Sequence, residues 1–288
     1  MKLFYRPEQS AANASSFSPS AGKPALVVAD WLRRGLVQPE DVLDFDPVSR
    51  ADLYRAHDAS YVDAVLDLRE PNGFDNHDAG VAASLPFTCG SLLAACRHAL
   101  ATGSHVCSPT SGFHHAHHGH GQGFCTFNGL MVAALALKAE GRVKTLAILD
   151  LDMHYGNGTE QIRHRLGSDW IVHRTQGESF GLRSQVGDGA EHYFAWLEEA
   201  IEACRQADLV IYQAGADPHV HDPLGGLLTG QELAIRDHRV FKAFQGQPLV
   251  WNLAGGYQLD AQGRIEPVLK IHRGTLIACQ VQAGERCS

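Results

Sequence analysis

The chain has 288 residues, 44% of them hydrophobic and 19% charged, an ordinary composition for a protein with a sizeable core. Its formal net charge of −8 disfavours a nucleic-acid partner, whose phosphates would want a basic face. No apolar run reads as a membrane span, and the start "MKLFYRPEQS" lacks a signal-peptide pattern, so no membrane partner and a cytoplasmic location are expected.

In chain order, the first 90 residues are irregular, with a Ser/Ala/Pro stretch, "SAANASSFSPSAGKP", and helical patterns at "PALVVADWLRRG" and "ASYVDAVLDLRE". From about residue 90, helices alternate with short apolar, β-branched strands. "GSLLAACRHAL" and "GLMVAALALKAEG" read as helices, the second ended by Gly141. "KTLAILDLD" reads as a buried strand, "TEQIRHRL" as a helix, "WIVH" as a strand and "AEHYFAWLEEAIEACRQ" as a helix. "ADLVIYQAG" is then a strand, "TGQELAIRDHRVFKAF" a helix, "PLVWNLAG" a strand and "EPVLKIHRGTLIACQ" a closing helix. Such alternation predicts parallel strands with crossover helices on both faces, within one α/β domain spanning 1–288 and carrying an N-terminal helical elaboration. The seven cysteines are scattered with no C-x-x-C pair, which predicts free, mostly buried thiols rather than a disulfide framework or a cysteine zinc site.

Polar chemistry collects where three of these strands end, which is where open parallel sheets bind ligands. In "ILDLDMHYGNGT", Asp150, Asp152 and His154 are spaced by two, so an extended chain points them to one face. Carboxylates in an otherwise buried strand need a cation or firm hydrogen bonds, and a cap on the following helix would explain one of these residues but not the row. In "IYQAGADPHVHDPLGG", Asp217 follows two small residues at the second strand end. In "WNLAGGYQ", Gly255 and Gly256 allow a tight turn that could present Tyr257 to the same rim. Asp152, His154 and Asp217 form a three-ligand set that leaves a position open for water and substrate, a catalytic rather than a structural zinc pattern. Five histidines, His114, His115, His117, His118 and His120, crowd "SGFHHAHHGHGQGFC", where a pair could serve as acid and base.

The stretches "SGFHHAHHGHGQGFCTFN", "LDLDMHYGNGT", "QAGADPHVHDPLG" and "AGGYQ", in this order and spacing, resemble the zinc-dependent histone deacetylase family, with its bacterial deacetylase-like and acetylpolyamine amidohydrolase members. The likeness covers about residues 90 to 280, with a looser match around "LYRAHDASYVDAV". It implies the arginase–deacetylase fold and a deacylase acting on a small-molecule or peptide N-acyl amide. Asp152, His154 and Asp217 would be the ligands of one Zn2+ per chain, and a structural K+ would sit near Asp150, Asp152 and His154. His114 and His115 would be the tandem catalytic histidines, partnered by Asp150 and Asn157. Tyr257 would polarise the scissile carbonyl, and Gly123 and Phe124 would line the acyl-lysine tunnel. His117, His118 and His120 would then sit on the exposed continuation of the loop.

Two departures stand out. Asn157 replaces the Asp of some members, which should leave His115 less basic. "HRTQGESFGLRSQ" lacks the Pro-Gly turn and the clearly placed aromatic of the opposite tunnel wall, leaving Phe180 as the substitute; Asp75 and Asp78 are candidate rim contacts for a cationic substrate. The rival readings are an arginase-like ureohydrolase with two manganese ions, a catalytically silent acyl-amine-binding module of the same fold, and a metal-storage protein built on the histidine cluster.

Overall fold

In the computed structural model, residues 1–12, 16–180, 189–282 and 284 are described. Seven short strands pair in parallel throughout: β1 (Leu3–Phe4), β2 (Val42–Leu43), β3 (His105–Cys107), β4 (Leu146–Asp150), β5 (Ile171–Thr175), β6 (Leu209–Gln213) and β7 (Leu249–Asn252). Their order is β2-β1-β3-β7-β6-β4-β5, which puts β4, β6 and β7 side by side in the interior of the sheet. All three are buried along their length, as the apolar runs predict for parallel strands covered on both faces.

Side-chain alternation divides the core into two layers. Leu146 and Ile148 of β4, with Leu209 and Ile211 of β6, face a layer built on α4 (Ala79–Thr102) and α5 (Gly129–Ala139). Ala147, Leu149, Val210 and Tyr212 face the other layer, where α1 (Lys23–Arg33), α8 (Gly189–Cys204), α9 (Gly230–Ala243) and α10 (Glu266–Gln282) pack. Four shorter helices complete the described set of ten: α2 (Arg50–Leu53), α3 (Ala59–Leu66), α6 (Asn157–Arg165) and α7 (Gln176–Phe180). Asp150 falls in the Leu146/Ile148 row, at the carboxyl end of β4.

Helix α4 corrects the sequence reading twice. It runs 24 residues and carries Pro86 inside it, whereas the pattern predicts a helix only from Gly90. It is also long and apolar enough to cross a membrane by length and composition, although 61% of its most apolar window is buried within the protein. Asp78, read as a rim contact, is its N-cap and accepts from the backbone N–H of Val81, so the carboxylate serves an orphan helix donor. None of the six cysteines among the described residues forms a disulfide and all are buried, as expected; Cys287 lies outside them.

Candidate active site

The carboxyl ends of β4, β6 and β7 deliver their polar residues to one place. Nδ1 of His154 lies 3.0 Å from Oδ1 of Asp152 and 3.0 Å from Oδ2 of Asp217. One ligand atom from each of the three falls within 4.8 Å of the others, and both aspartates are buried. Neither Asp150 nor Asp152 caps α6, whose N-cap is Gly156.

Burial, together with the charge of Asp152, pushes Asp217 up to about 7. Burial works against a charged His154, but its hydrogen bonds to the two carboxylates win and raise it to about 11. This is the balance of a site with more anionic donors than it can comfortably hold, and a cation relieves it. Gly255 makes room for one: a Cβ there would stand 2.5 Å from Asp217 Oδ2 and 2.7 Å from Asp152 Oδ2. An imidazole and two carboxylates converging on a common point suit Zn2+.

The tandem histidines stand beside this set with different partners. His114 donates from Nδ1 to Asp150 Oδ2 at 2.8 Å, and Asp150 Oδ1 accepts from Gln213 Nε2 at 2.8 Å. Burial opposes charge on His114, yet Asp150 and Asp152 raise it to about 9. His115 donates from Nδ1 to Asn157 Oδ1 at 2.7 Å. Burial first and the neighbouring His114 second lower it to about 4, since Asn157 offers no charge. The two rings sit 4.1 Å apart, and His115 packs edge-on to His154 at 5.8 Å.

Tyr257 arrives on the turn after β7, where its backbone N–H donates to Asp222 Oδ2 at 2.7 Å and the N–H of Gly255 donates to Asp152 Oδ2 at 2.8 Å. Burial holds the phenol well above its ordinary value. A narrow cavity of about 10 Å³, lined by Gly112, His114, Gly123, Asp152, Gly255 and Tyr257, is wide enough for about one water. Gly123 and Phe124 both take left-handed backbone angles, φ 54° and 65°. Glycine is required at 123, because a Cβ would stand 2.6 Å from the His115 ring. Strain at Phe124 holds its ring against Tyr257 at 5.8 Å.

Phe180 is not the facing aromatic. It packs into the core on Tyr193 and Trp196, because α7 turns it toward α8, while residues 181–185 of that stretch lie outside the described ones. The rings against Phe124 are instead Phe17 at 5.2 Å and Phe74 at 5.7 Å, from segments with no periodic signal in the sequence.

Lys23 was also missed. It is fully buried and donates from Nζ to the Ala254 carbonyl, the same oxygen that Ser111 Oγ reaches at 2.7 Å. Burial lowers it to about 8, offset by Asp217, Asp152 and Asp222. A lysine in the first turn of α1 opposes the helix dipole, which was the available signal.

A model of the histone deacetylase domain family matches residues 20–173 and 168–269. The chain belongs to the histone deacetylase family. Membership makes it a hydrolase acting on amide bonds, and the family implies a metal ion, typically Zn2+, with which the buried Asp152, His154 and Asp217 are compatible. An uncharacterized protein of Picosynechococcus is 28% identical over 84% of this chain and 87% of its own length. Histone deacetylase 5 of Arabidopsis thaliana is 31% identical over 51% of this chain but only 27% of its own length, so the chain spans about a quarter of that relative. In structure, acetylpolyamine aminohydrolase from Burkholderia pseudomallei aligns with a TM-score of 0.72 at 18% identity, covering 98% of this chain and 99% of the other. The HDA15 HD domain aligns at 0.78 and 21% identity, covering 100% of this chain and 90% of its own. These likenesses carry the arginase–deacetylase fold of this deacetylase family member.

Proposed function

We propose that this deacetylase family member hydrolyses N-acyl amides of primary amines such as acetyl-lysine or an acetylated polyamine. The observation that carries the reading is the unequal partnering of His114 and His115 beside Asp152, His154 and Asp217. Zn2+ held by those three would polarise the amide carbonyl and acidify water.

The chain's own residues supply the rest. With Nδ1–H committed to Asn157, His115 keeps the Nε2 lone pair free, and its low affinity for protons leaves it neutral at pH 7. It takes the proton of the attacking water and passes it to the leaving amine. His114, held charged by Asp150, stabilises the negative charge that builds up. Tyr257 donates its O–H to the carbonyl oxygen as the tetrahedral centre forms. Gly123 and Phe124, with Phe17 and Phe74, wall the approach for a slender alkyl chain. Among the described residues, Asp152, His154 and Asp217 form the one group of three suited to a metal, which argues against a two-manganese ureohydrolase.

The test is amine release by protein loaded with one equivalent of zinc, from an acetyl-lysine amide, acetylated polyamines and a trifluoroacetyl analogue. Turnover of the acetyl substrates supports the reading, and their relative rates identify the amine. Binding of these amides without turnover of any of them would instead make the chain a silent acyl-amine-binding module.

A further inference from the structure

The histidine cluster does more than continue a loop. His118 is partly buried and donates from Nδ1 to the Ala56 carbonyl at 2.9 Å, so it is fixed rather than solvated. His117 and His120 stack at 4.4 Å with planes 10° apart, and Nε2 of His117 lies 3.2 Å from Gln122 Oε1. The same Gln122 oxygen accepts from Asn157 Nδ2 at 3.2 Å. Asn157 is the partner of His115, and its Oδ1 also accepts from the Gly158 N–H at 3.0 Å.

These contacts form one directional chain. The Gly158 N–H can only donate, so the Asn157 atom it meets is the oxygen, and the amide NH2 is the group left to face Gln122 Oε1. The oxygen of Asn157 then faces His115, which must carry its proton on Nδ1 and leave Nε2 bare. An aspartate in this position would need no such control, because either oxygen accepts; an asparagine turned end for end would donate to Nδ1 and force the proton onto Nε2. Gln122 is itself pinned, since its backbone exchanges two hydrogen bonds with Cys125, each 2.9 Å, across the turn that holds Gly123 and Phe124.

We propose that Gln122, braced by His117 and its stacked partner His120, is a positioning residue that, together with the Gly158 N–H, fixes the tautomer of His115 through the amide of Asn157. The tautomer follows from geometry alone; its effect on turnover rests on the reading of His115 as the base.

The test is 15N NMR of the His115 ring, identified by its loss in His115→Gln, combined with kcat and KM, on the zinc-loaded protein. The unmodified protein should show the Nδ1–H form alone. Gln122→Met should introduce the Nε2–H form and lower kcat about fivefold, the scale of one hydrogen bond, with KM and metal content unchanged. Gln122→Glu, which keeps an acceptor, should retain the Nδ1–H form. Adding Gln122→Met to Asn157→Asp should change neither spectrum nor kcat further. An unchanged His115 spectrum in Gln122→Met, or the same kcat loss in the Asn157→Asp background, overturns the proposal. If the tautomer responds as expected while no amide is turned over by any form, the positioning role holds and the deacylase reading fails.

Discussion

Replacing Gly255 by alanine should empty the metal site while leaving the fold intact. The added Cβ would lie 2.5 Å from Cγ and Oδ2 of Asp217 and 2.7 Å from Oδ2 of Asp152, whereas ordinary contact begins near 3.4 Å. The two carboxylates would therefore have to withdraw by about 0.9 Å and 0.7 Å, while metal–ligand distances tolerate only about 0.2 Å. Asp152 cannot swing aside freely, because it accepts from the Gly255 N–H and from the backbone N–H of His154. Loss of an outer-shell partner alone typically lowers metal affinity by about 10–100-fold. Displacing two ligands should cost at least about a hundredfold, or roughly 2.7 kcal/mol. The assay is competition for zinc against a chelator of known affinity, read by metal analysis after dialysis, with circular dichroism as the check on folding. Gly274→Ala is the control, since a Cβ there meets nothing within 4 Å. Zinc affinity within threefold of the parent in folded Gly255→Ala would refute the assignment of Asp152 and Asp217 as ligands.

Three further outcomes are expected. Tyr257→Phe should lower kcat about a hundredfold, roughly 3 kcal/mol in the barrier, with zinc retained; equal turnover removes the phenol from the mechanism. His57 is held neutral by burial, which lowers it from 6.5 to about 4, with Nε2 accepting from the Asn128 N–H at 2.8 Å. The unfolded chain takes up this proton below pH 6.5 and the folded one only near 4, so stability should fall by about 3 kcal/mol as pH drops through that window. His57→Gln should flatten that part of the urea-midpoint profile, and an unchanged slope assigns the effect elsewhere. Lys23→Met removes a buried cation held near pKa 8, so at pH 7 it should raise stability by about 2 kcal/mol while loosening the Ala254 turn and lowering kcat. A lower melting temperature would show that the Ala254 contact outweighs the burial of charge.

The strands that carry the site were legible because their apolar runs are long enough to show buried periodicity and end in chemistry foreign to a core. Asp150, Asp152 and His154 announce themselves by sitting where valines belong. The edge strands β1 and β2 were not legible, since two residues each cannot display an alternation. Helix α4 extends well before the "GSLLAACRHAL" pattern and holds Pro86 inside it, a residue type that interrupts helical periodicity; the Pro86 carbonyl accepts from the Val48 N–H at 3.1 Å. Phe17, Phe74 and Lys23 join the site only through tertiary folding. Lys23 shows in the sequence only as a cation misplaced in a first helical turn, and its burial comes from the turn after β7 closing over it.

The parallel sheet also governs when this chemistry can exist. Asp152 and His154 follow β4, Asp217 follows β6, and the Gly255–Tyr257 turn follows β7, so the three strand ends that build the site lie far apart along the chain. Such non-local closures form late and slowly. A nascent chain still emerging from the ribosome would lack the third ligand until residue 217 had been made, and the closing turn until 257. Metal therefore cannot act as a seed for folding here; it can only reward a sheet that has already assembled, which makes occupancy a late checkpoint on a finished molecule.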